Sequence, residues 1–190
     1  MFSNWQKKRA RARALERRRT AHHDLPDAPS GLVSHFPDEI WPGVGAVVAG
    51  YHAVNSEIDP IRLLETFHCE QARLALPRVE GPAAPLAFHQ WLPGDELETG
   101  AHGIATPHAD APQLTPSLLL IPLLAVDERG FRLGYGGGYY DRTLSALRAT
   151  GQVTAVGLGY DIQRIKKLPV QRHDQRLDWI ITEKGAYRFA

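Results

Sequence analysis

The chain has 190 residues, 43% apolar and 23% charged, with a formal net charge of +1; this is the make-up of one soluble globular domain, since domains commonly run to about 100–200 residues. Its 17 glycines and 14 prolines follow no period, which excludes collagen-like and low-complexity chains. The longest apolar run, Leu118 to Val126, is broken by Pro122 and falls short of the roughly 20 residues a membrane span needs.

The charge is unevenly spread. Lys7, Lys8, Arg9, Arg11, Arg13, Arg17, Arg18 and Arg19 stand against Glu16 alone, while the rest of the chain carries 14 basic and 20 acidic groups. Ala, Arg, Lys and Leu dominate residues 4–23 and predict a helix, with no breaker before Pro26. A basic helix on a mildly acidic body reads as a nucleic-acid arm, a transit peptide, a polyanion clamp folded onto the domain, or a solvated face. No apolar run follows the charges, so a secretory signal is not expected.

Pro26, Pro29, Gly31, Pro37 and Pro42 mark residues 24–43 as a Pro-rich connector. The run 44–51 is almost wholly apolar, the pattern of a strand buried on both faces. Asp59 then caps a helix with Pro60 at its start and Ile61, Leu63, Leu64, Phe67 and Ala72 as its inward stripe. Cys69, the single cysteine, excludes an internal disulfide framework and reads as a small core residue of that helix. Further strands are predicted at 73–77, 86–91, 118–124, 153–159 and 179–182, and a helix at 139–150 ending on Gly151. Strands alternating with helices predict an α/β fold: a single three-layer domain, residues 1–190, with a mainly parallel sheet and helices on both faces. Ligands of such sheets settle beyond the carboxyl ends of the strands.

One such place follows the 118–124 strand. Gly134, Gly136, Gly137 and Gly138 fall within five positions and open onto a helix. Glycine gives up the most conformational entropy on folding, so the pattern is costly unless bare backbone is needed. Bare N–H groups at a helix N-terminus suit an anion, and Arg132 and Arg142 suit bidentate phosphate contact. Asp141 complements the helix dipole or holds a magnesium ion. The loop lacks the Gly-Lys-Ser/Thr ending of a Walker loop, and Tyr139 breaks the dinucleotide fingerprint.

The eleven residues Arg132-Leu-Gly-Tyr-Gly-Gly-Gly-Tyr-Tyr-Asp-Arg142 resemble the signature of the 5-formyltetrahydrofolate cyclo-ligase family. So do Gly157-Leu-Gly-Tyr160, Gln163, Leu168-Pro-Val170, His173-Asp174 and the segment 178–182, and also Gly103-Ile-Ala-Thr-Pro107, where Thr106 stands in place of a frequent glutamate. The resemblance implies an enzyme that uses ATP and Mg2+ to convert 5-formyltetrahydrofolate to 5,10-methenyltetrahydrofolate, releasing ADP and phosphate. It implies a fold like that of NagB, RpiA and the CoA transferases. By the same resemblance Lys7, Arg11 and the run Arg132, Leu133, Gly134, Tyr135, Gly136, Gly137, Gly138, Tyr139 and Tyr140 line ATP. Arg132, Tyr140 and Asp141 serve catalysis, and Asp141 with Asp174 binds magnesium. Glu57 hydrogen-bonds the pterin, with His52, Tyr135 and Tyr139 bordering the folate.

The residues alone leave alternatives. Arg9 with Arg13 repeats the spacing of Lys7 with Arg11 on the next helical face. The loop also suits a sugar-phosphate isomerase, an ATP-dependent relative acting on another pterin or thiamine-like substrate, or a non-catalytic reduced-folate binding protein. A cytoplasmic monomer acting on a small molecule, with neither nucleic acid nor membrane as partner, is expected.

Overall fold

The computed structural model describes residues 4–189. A seven-stranded sheet runs through the molecule in the order β12-β11-β9-β6-β1-β2-β3. Its members are β1 (Val47–Ala49), β2 (Arg73–Val79), β3 (Leu86–Gln90), β6 (Leu118–Pro122), β9 (Thr154–Leu158), β11 (Trp179–Thr182) and β12 (Gly185–Arg188). The five inner strands are parallel to their neighbours, and β3 and β12 close the edges in antiparallel sense.

The alternation of side chains across a strand explains why β6 is apolar at nearly every position. Leu118 and Leu120 face one cluster with Val48, Leu74, Leu76 and Val156; Leu119 and Ile121 face the other with Ala49, Ala75 and Ala155. Helix α3 (Ile61–Cys69) covers the first face with Leu63, Leu64 and Phe67, and α4 (Tyr139–Thr150) covers the second with Leu144. The α/β class with helices on both faces is therefore the observed architecture. Asp59 starts α3 by accepting the Ile61 N–H at its carboxylate (3.0 Å).

Several local expectations need correction. The connector carries a two-turn helix, α2 (Ala28–Ser34), whose buried Leu32 joins the first cluster. Pro29 is tolerated there because the first-turn N–H groups have no partner inside the helix. The strand predicted at 44–51 is only β1: Gly45 has φ +75 and Val44 is 78% exposed, so the chain turns before it pairs. Cys69 closes α3 on the exposed side rather than in the core. The run 118–124 divides, with β6 ending at Pro122 and the chain leaving the main sheet for a small one, β10-β7-β8. That sheet joins β7 (Ala125–Asp127), β8 (Arg132–Leu133) and β10 (Arg164–Ile165). At the departure Gln163 stands in for the missing strand: its Nε2 donates to Leu123 O (2.7 Å) and Leu124 O (3.1 Å), and its Oε1 accepts the Tyr160 N–H (2.7 Å).

Helix α1 (Asn4–Asp24) lies against the small sheet, packing Ala14 on Leu124, Ala125, Leu133 and Leu168, and Ala21 on the first cluster. Beyond β1 the chain crosses through α3 to β2 on one side; beyond β6 it crosses through α4 to β9 on the other. The carboxyl ends of β1 and β6 thus form the point where the strand order reverses, and in sheets of this kind the ligand crevice lies there.

Candidate active site

The glycine loop connects β8 to α4 beside this reversal point, where Arg18 bonds Tyr135 of the loop, Leu123 O just past β6 and Glu57 after β1. Gly136 (φ +108) and Gly138 (φ +69) adopt backbone that a side chain would strain, and Gly138 is the residue from which α4 starts. A Cβ at Gly136 would lie 3.1 Å from the Arg11 guanidinium. The absent side chains therefore let a cation from α1 reach the loop, where Arg11 Nε donates to Gly134 O (3.0 Å). One turn earlier Lys7 Nζ pairs with Asp174 Oδ2 (3.0 Å) and donates to Gln171 Oε1 (3.1 Å). Of the two faces open in the sequence, the one bearing Lys7 and Arg11 meets the loop.

Arg132 crosses beneath the loop, donating through Nη2 to Asp141 Oδ1 (3.0 Å) and through Nη1 to Gln175 O (3.0 Å). The Gln175 N–H returns to the same Asp141 oxygen (2.9 Å). Burial lowers the pKa of Arg132, and the nearby Asp141, Tyr140 and Asp174 oppose that shift; a guanidinium remains a cation at neutral pH all the same. Tyr140 lies between Glu57 and Arg132 in electrostatic terms. Burial, reinforced by Glu57, raises its pKa against the pull of Arg132, so its phenol keeps its proton. Asp141 and Asp174 are each held by one cation and one backbone N–H. Among the described residues no group of three or more His, Cys, Asp or Glu comes together.

The other bank of the crevice is the segment after β1. Glu57 is 6% exposed; its Oε2 accepts the Val54 N–H (3.0 Å) and its Oε1 lies 3.5 Å from Arg18 Nη1. Burial raises the carboxyl pKa, with the Val54 amide and Arg18 drawing it back. Tyr51 donates its hydroxyl to Ile58 O (2.7 Å), and burial raises its pKa well above the ordinary value. His52 is exposed on the same segment.

The tyrosines divide by environment. Tyr135 is 55% exposed at the mouth of the crevice. Tyr139 lies under the Arg142 guanidinium (5.0 Å to the ring centroid) and edge-on to His102 (6.2 Å), a residue sequence reasoning did not connect with the loop. Leu133 is packed with Ala14, and Thr106 is buried with its hydroxyl donated to Pro77 O (2.8 Å). The residue most plainly missed is Arg18, 1% exposed in the crevice. Its signal was the seven-residue spacing from Arg11, with Ala14 and Ala21 marking the packed face of α1.

The family model described as the 5-formyltetrahydrofolate cyclo-ligase family matches residues 4–183. The chain belongs to that family. A 5-formyltetrahydrofolate cyclo-ligase of Mycolicibacterium smegmatis (strain ATCC 700084 / mc(2)155) is 36% identical over 147 residues, 74% of this chain and 75% of that protein. One of Escherichia coli (strain K12) is 34% identical over 147 residues, 75% of this chain and 80% of its own length. Among solved structures, the 5,10-methenyltetrahydrofolate synthetase of Aquifex aeolicus superposes with a TM-score of 0.74 at 27% identity, covering 96% of this chain and 92% of that one. The synthetase of Mycoplasma pneumoniae, at 21% identity and a TM-score of 0.71, shares the fold.

Proposed function

We propose that this cyclo-ligase converts 5-formyltetrahydrofolate to 5,10-methenyltetrahydrofolate at the expense of Mg-ATP, in the crevice between β1 and β6. One observation carries the reading: a glycine-rich loop met by Arg11 and Arg132 is joined through Arg18 to a buried carboxylate, Glu57, at the reversal point of the sheet. The first bank suits a polyphosphate and the second a flat heterocycle with N–H donors.

The residues present fit nucleotide and metal. Gly136 and Gly138 leave backbone exposed where side chains would intrude. Asp141 and Asp174 supply two hard oxygen donors, and magnesium takes one or two carboxylates together with phosphate oxygens. ATP supplies the phosphoryl group that turns the formyl oxygen into a leaving group, and magnesium neutralises its charge. Nitrogen 10 of the folate then bonds to the formyl carbon and loses its proton as phosphate departs with the oxygen.

The protein's share is positioning and charge, as phosphoryl transfer requires. Lys7 and Arg11 reach the phosphates from α1, and Arg132 holds Asp141 in place from below. The loop run Arg132–Tyr140 surrounds the nucleotide. Glu57 accepts from the pterin in its ionised form, while Tyr135, Tyr139 and His52 border the folate. Protonated Tyr140, poised between the two banks, donates to the oxygen that gains charge. The basic helix serves this site through Lys7, Arg11 and Arg18, which turn inward. Among the described residues no helix is long and apolar enough to cross a membrane, and we place the enzyme in the cytoplasm as a monomer.

The test is an absorbance assay with purified protein, 5-formyltetrahydrofolate and Mg-ATP, with ATP and magnesium omitted in turn. The near-ultraviolet band of the methenyl product should appear only in the complete mixture. ADP without that band would sink the folate assignment, and product without ATP would sink the mechanism.

A further inference from the structure

Arg18 is the most deeply buried cation among the described residues, and every bond it makes lies in the crevice. Its Nε donates to Ser56 Oγ (3.2 Å), its Nη1 reaches both Glu57 Oε1 (3.5 Å) and Leu123 O (3.3 Å), and its Nη2 donates to the Tyr135 hydroxyl. Those four partners come from the segment after β1, the end of β6 and the glycine loop. Its guanidinium also lies over the Tyr135 ring, 5.4 Å from the centroid.

We propose that Arg18 is a positioning residue of the cyclo-ligase reaction: its guanidinium fixes the Glu57 carboxylate and the Tyr135 hydroxyl relative to one another, so that the folate contact and the nucleotide loop are assembled by one cation. The inference rests on the function proposed above. Burying a guanidinium is expensive unless its donors are matched, and anchorage of α1 alone would be met by Leu123 O and Ser56. The bond to Tyr135 goes instead to a half-exposed side chain on a loop built largely of glycine, where packing does little to hold a ring in one orientation. Arg18 also bears on the ionisation of Glu57. Facing Glu57 are Arg18 from α1, Tyr51 from the end of β1 and Tyr140 from α4, and of these Arg18 is the cation. Without it the buried carboxyl would hold its proton to higher pH and lose its capacity to accept from the pterin.

Steady-state kinetics of Arg18→Met, Arg18→Lys and Tyr135→Phe, over a range of pH and with thermal melts as a check on folding, test the proposal. Arg18→Met should raise KM for 5-formyltetrahydrofolate about tenfold, the scale of one lost charged hydrogen bond. The acid limb of its kcat/KM profile should move up by about one pH unit. Arg18→Lys, which keeps the charge, should return that limb towards the wild-type position. A folded Arg18→Met with unchanged KM and an unchanged limb overturns the proposal. If Arg18→Met does not fold, Tyr135→Phe decides, because it removes one partner at the exposed end and leaves the cation in place. A KM for the folate raised about threefold with the acid limb unmoved supports the proposal; wild-type KM and kcat overturn it. A wild-type enzyme that forms no methenyl product sinks the proposed function, and this inference with it; an active wild type with indifferent variants sinks the inference alone.

Discussion

Helices α1 and α3 are attached to the body of the protein by opposite means. Helix α3 presents Leu63, Leu64 and Phe67, all fully buried, and Phe67 meets Phe36 and Trp41 edge-on at 5.0 Å each. Each such side chain contributes roughly 1.5–3 kcal/mol by leaving water. Helix α1 has no apolar stripe. It buries two alanines, half-covers Ala10 and Leu15, sets His22 against Tyr160 (3.0 Å), and docks its cations Lys7, Arg11 and Arg18 on carboxylates, carbonyls and hydroxyls of the candidate site. A helix whose apolar seam is this thin needs partners of this kind. The difference separates two uses of burial: α3 holds the scaffold through apolar surface, whereas α1 is held in large part by groups that the proposed function gives to the ligand.

The contrast breaks most plainly at Phe67. Phe67→Ala should destabilise the protein by about 3–5 kcal/mol in denaturant titration, with kcat and KM of the remaining folded protein unchanged. A loss of kcat in that folded fraction would mean that the scaffold and the site are not separable. At the site the reverse is expected. Asp141→Asn keeps an oxygen for Arg132 and for the Gln175 N–H but removes the charge, and should lower kcat about a hundredfold with little change in melting temperature. Wild-type turnover there would end the magnesium role of Asp141.

Saturating Mg-ATP sharpens the comparison, since at about 100 times its Kd it should add about 2.7 kcal/mol to stability and slow proteolysis within α1 selectively. Equal protection of α1 and α3 would contradict the idea that only α1 is tied to ligand. Arg11→Ala should raise KM for ATP about tenfold and weaken that protection, leaving KM for the folate nearly constant. The smallest effect is in the pH profile. In its proposed role Glu57 accepts from the pterin in the ionised form, so kcat/KM for the folate should be full above its pKa and fall as pH drops through it. Because burial raises that pKa, the acid limb should lie above the ordinary glutamate value of about 4.3. Glu57→Gln should abolish the limb.

The regular elements were legible because their signals are local. The double-faced apolar pattern of β6, the Asp59–Pro60 start of α3 and the glycines before α4 each state their role within a few residues. Shorter elements escaped for a physical reason: β4 (Glu98–Thr99), β5 (Ala105–Thr106), β7, β8 and β10 are two or three residues long, too short to show a side-chain period, and β10 exists by pairing with distant β7. Helix α2 was hidden by prolines and a glycine that read as breakers, although Gly31 is required there, since a Cβ would sit 2.9 Å from the Glu183 backbone. The glycine loop, Glu57 and Asp141 were found through residue chemistry and resemblance. Arg18 was not, because one arginine among eight cations looks like its neighbours until the helix is docked.

Gln163 holds the corner where the chain leaves the main sheet. A strand that leaves one sheet for another ordinarily strands its last carbonyls in a dry interior. Here a side-chain amide, with one donor end and one acceptor end, copies the hydrogen-bonding outline of a peptide unit and closes the gap around Leu123 and Leu124. The kink in the backbone at the floor of the crevice is thereby made a rigid corner rather than a loose end. Since Leu123 O is also where Arg18 rests, this borrowed peptide unit fixes the shelf on which that guanidinium is seated.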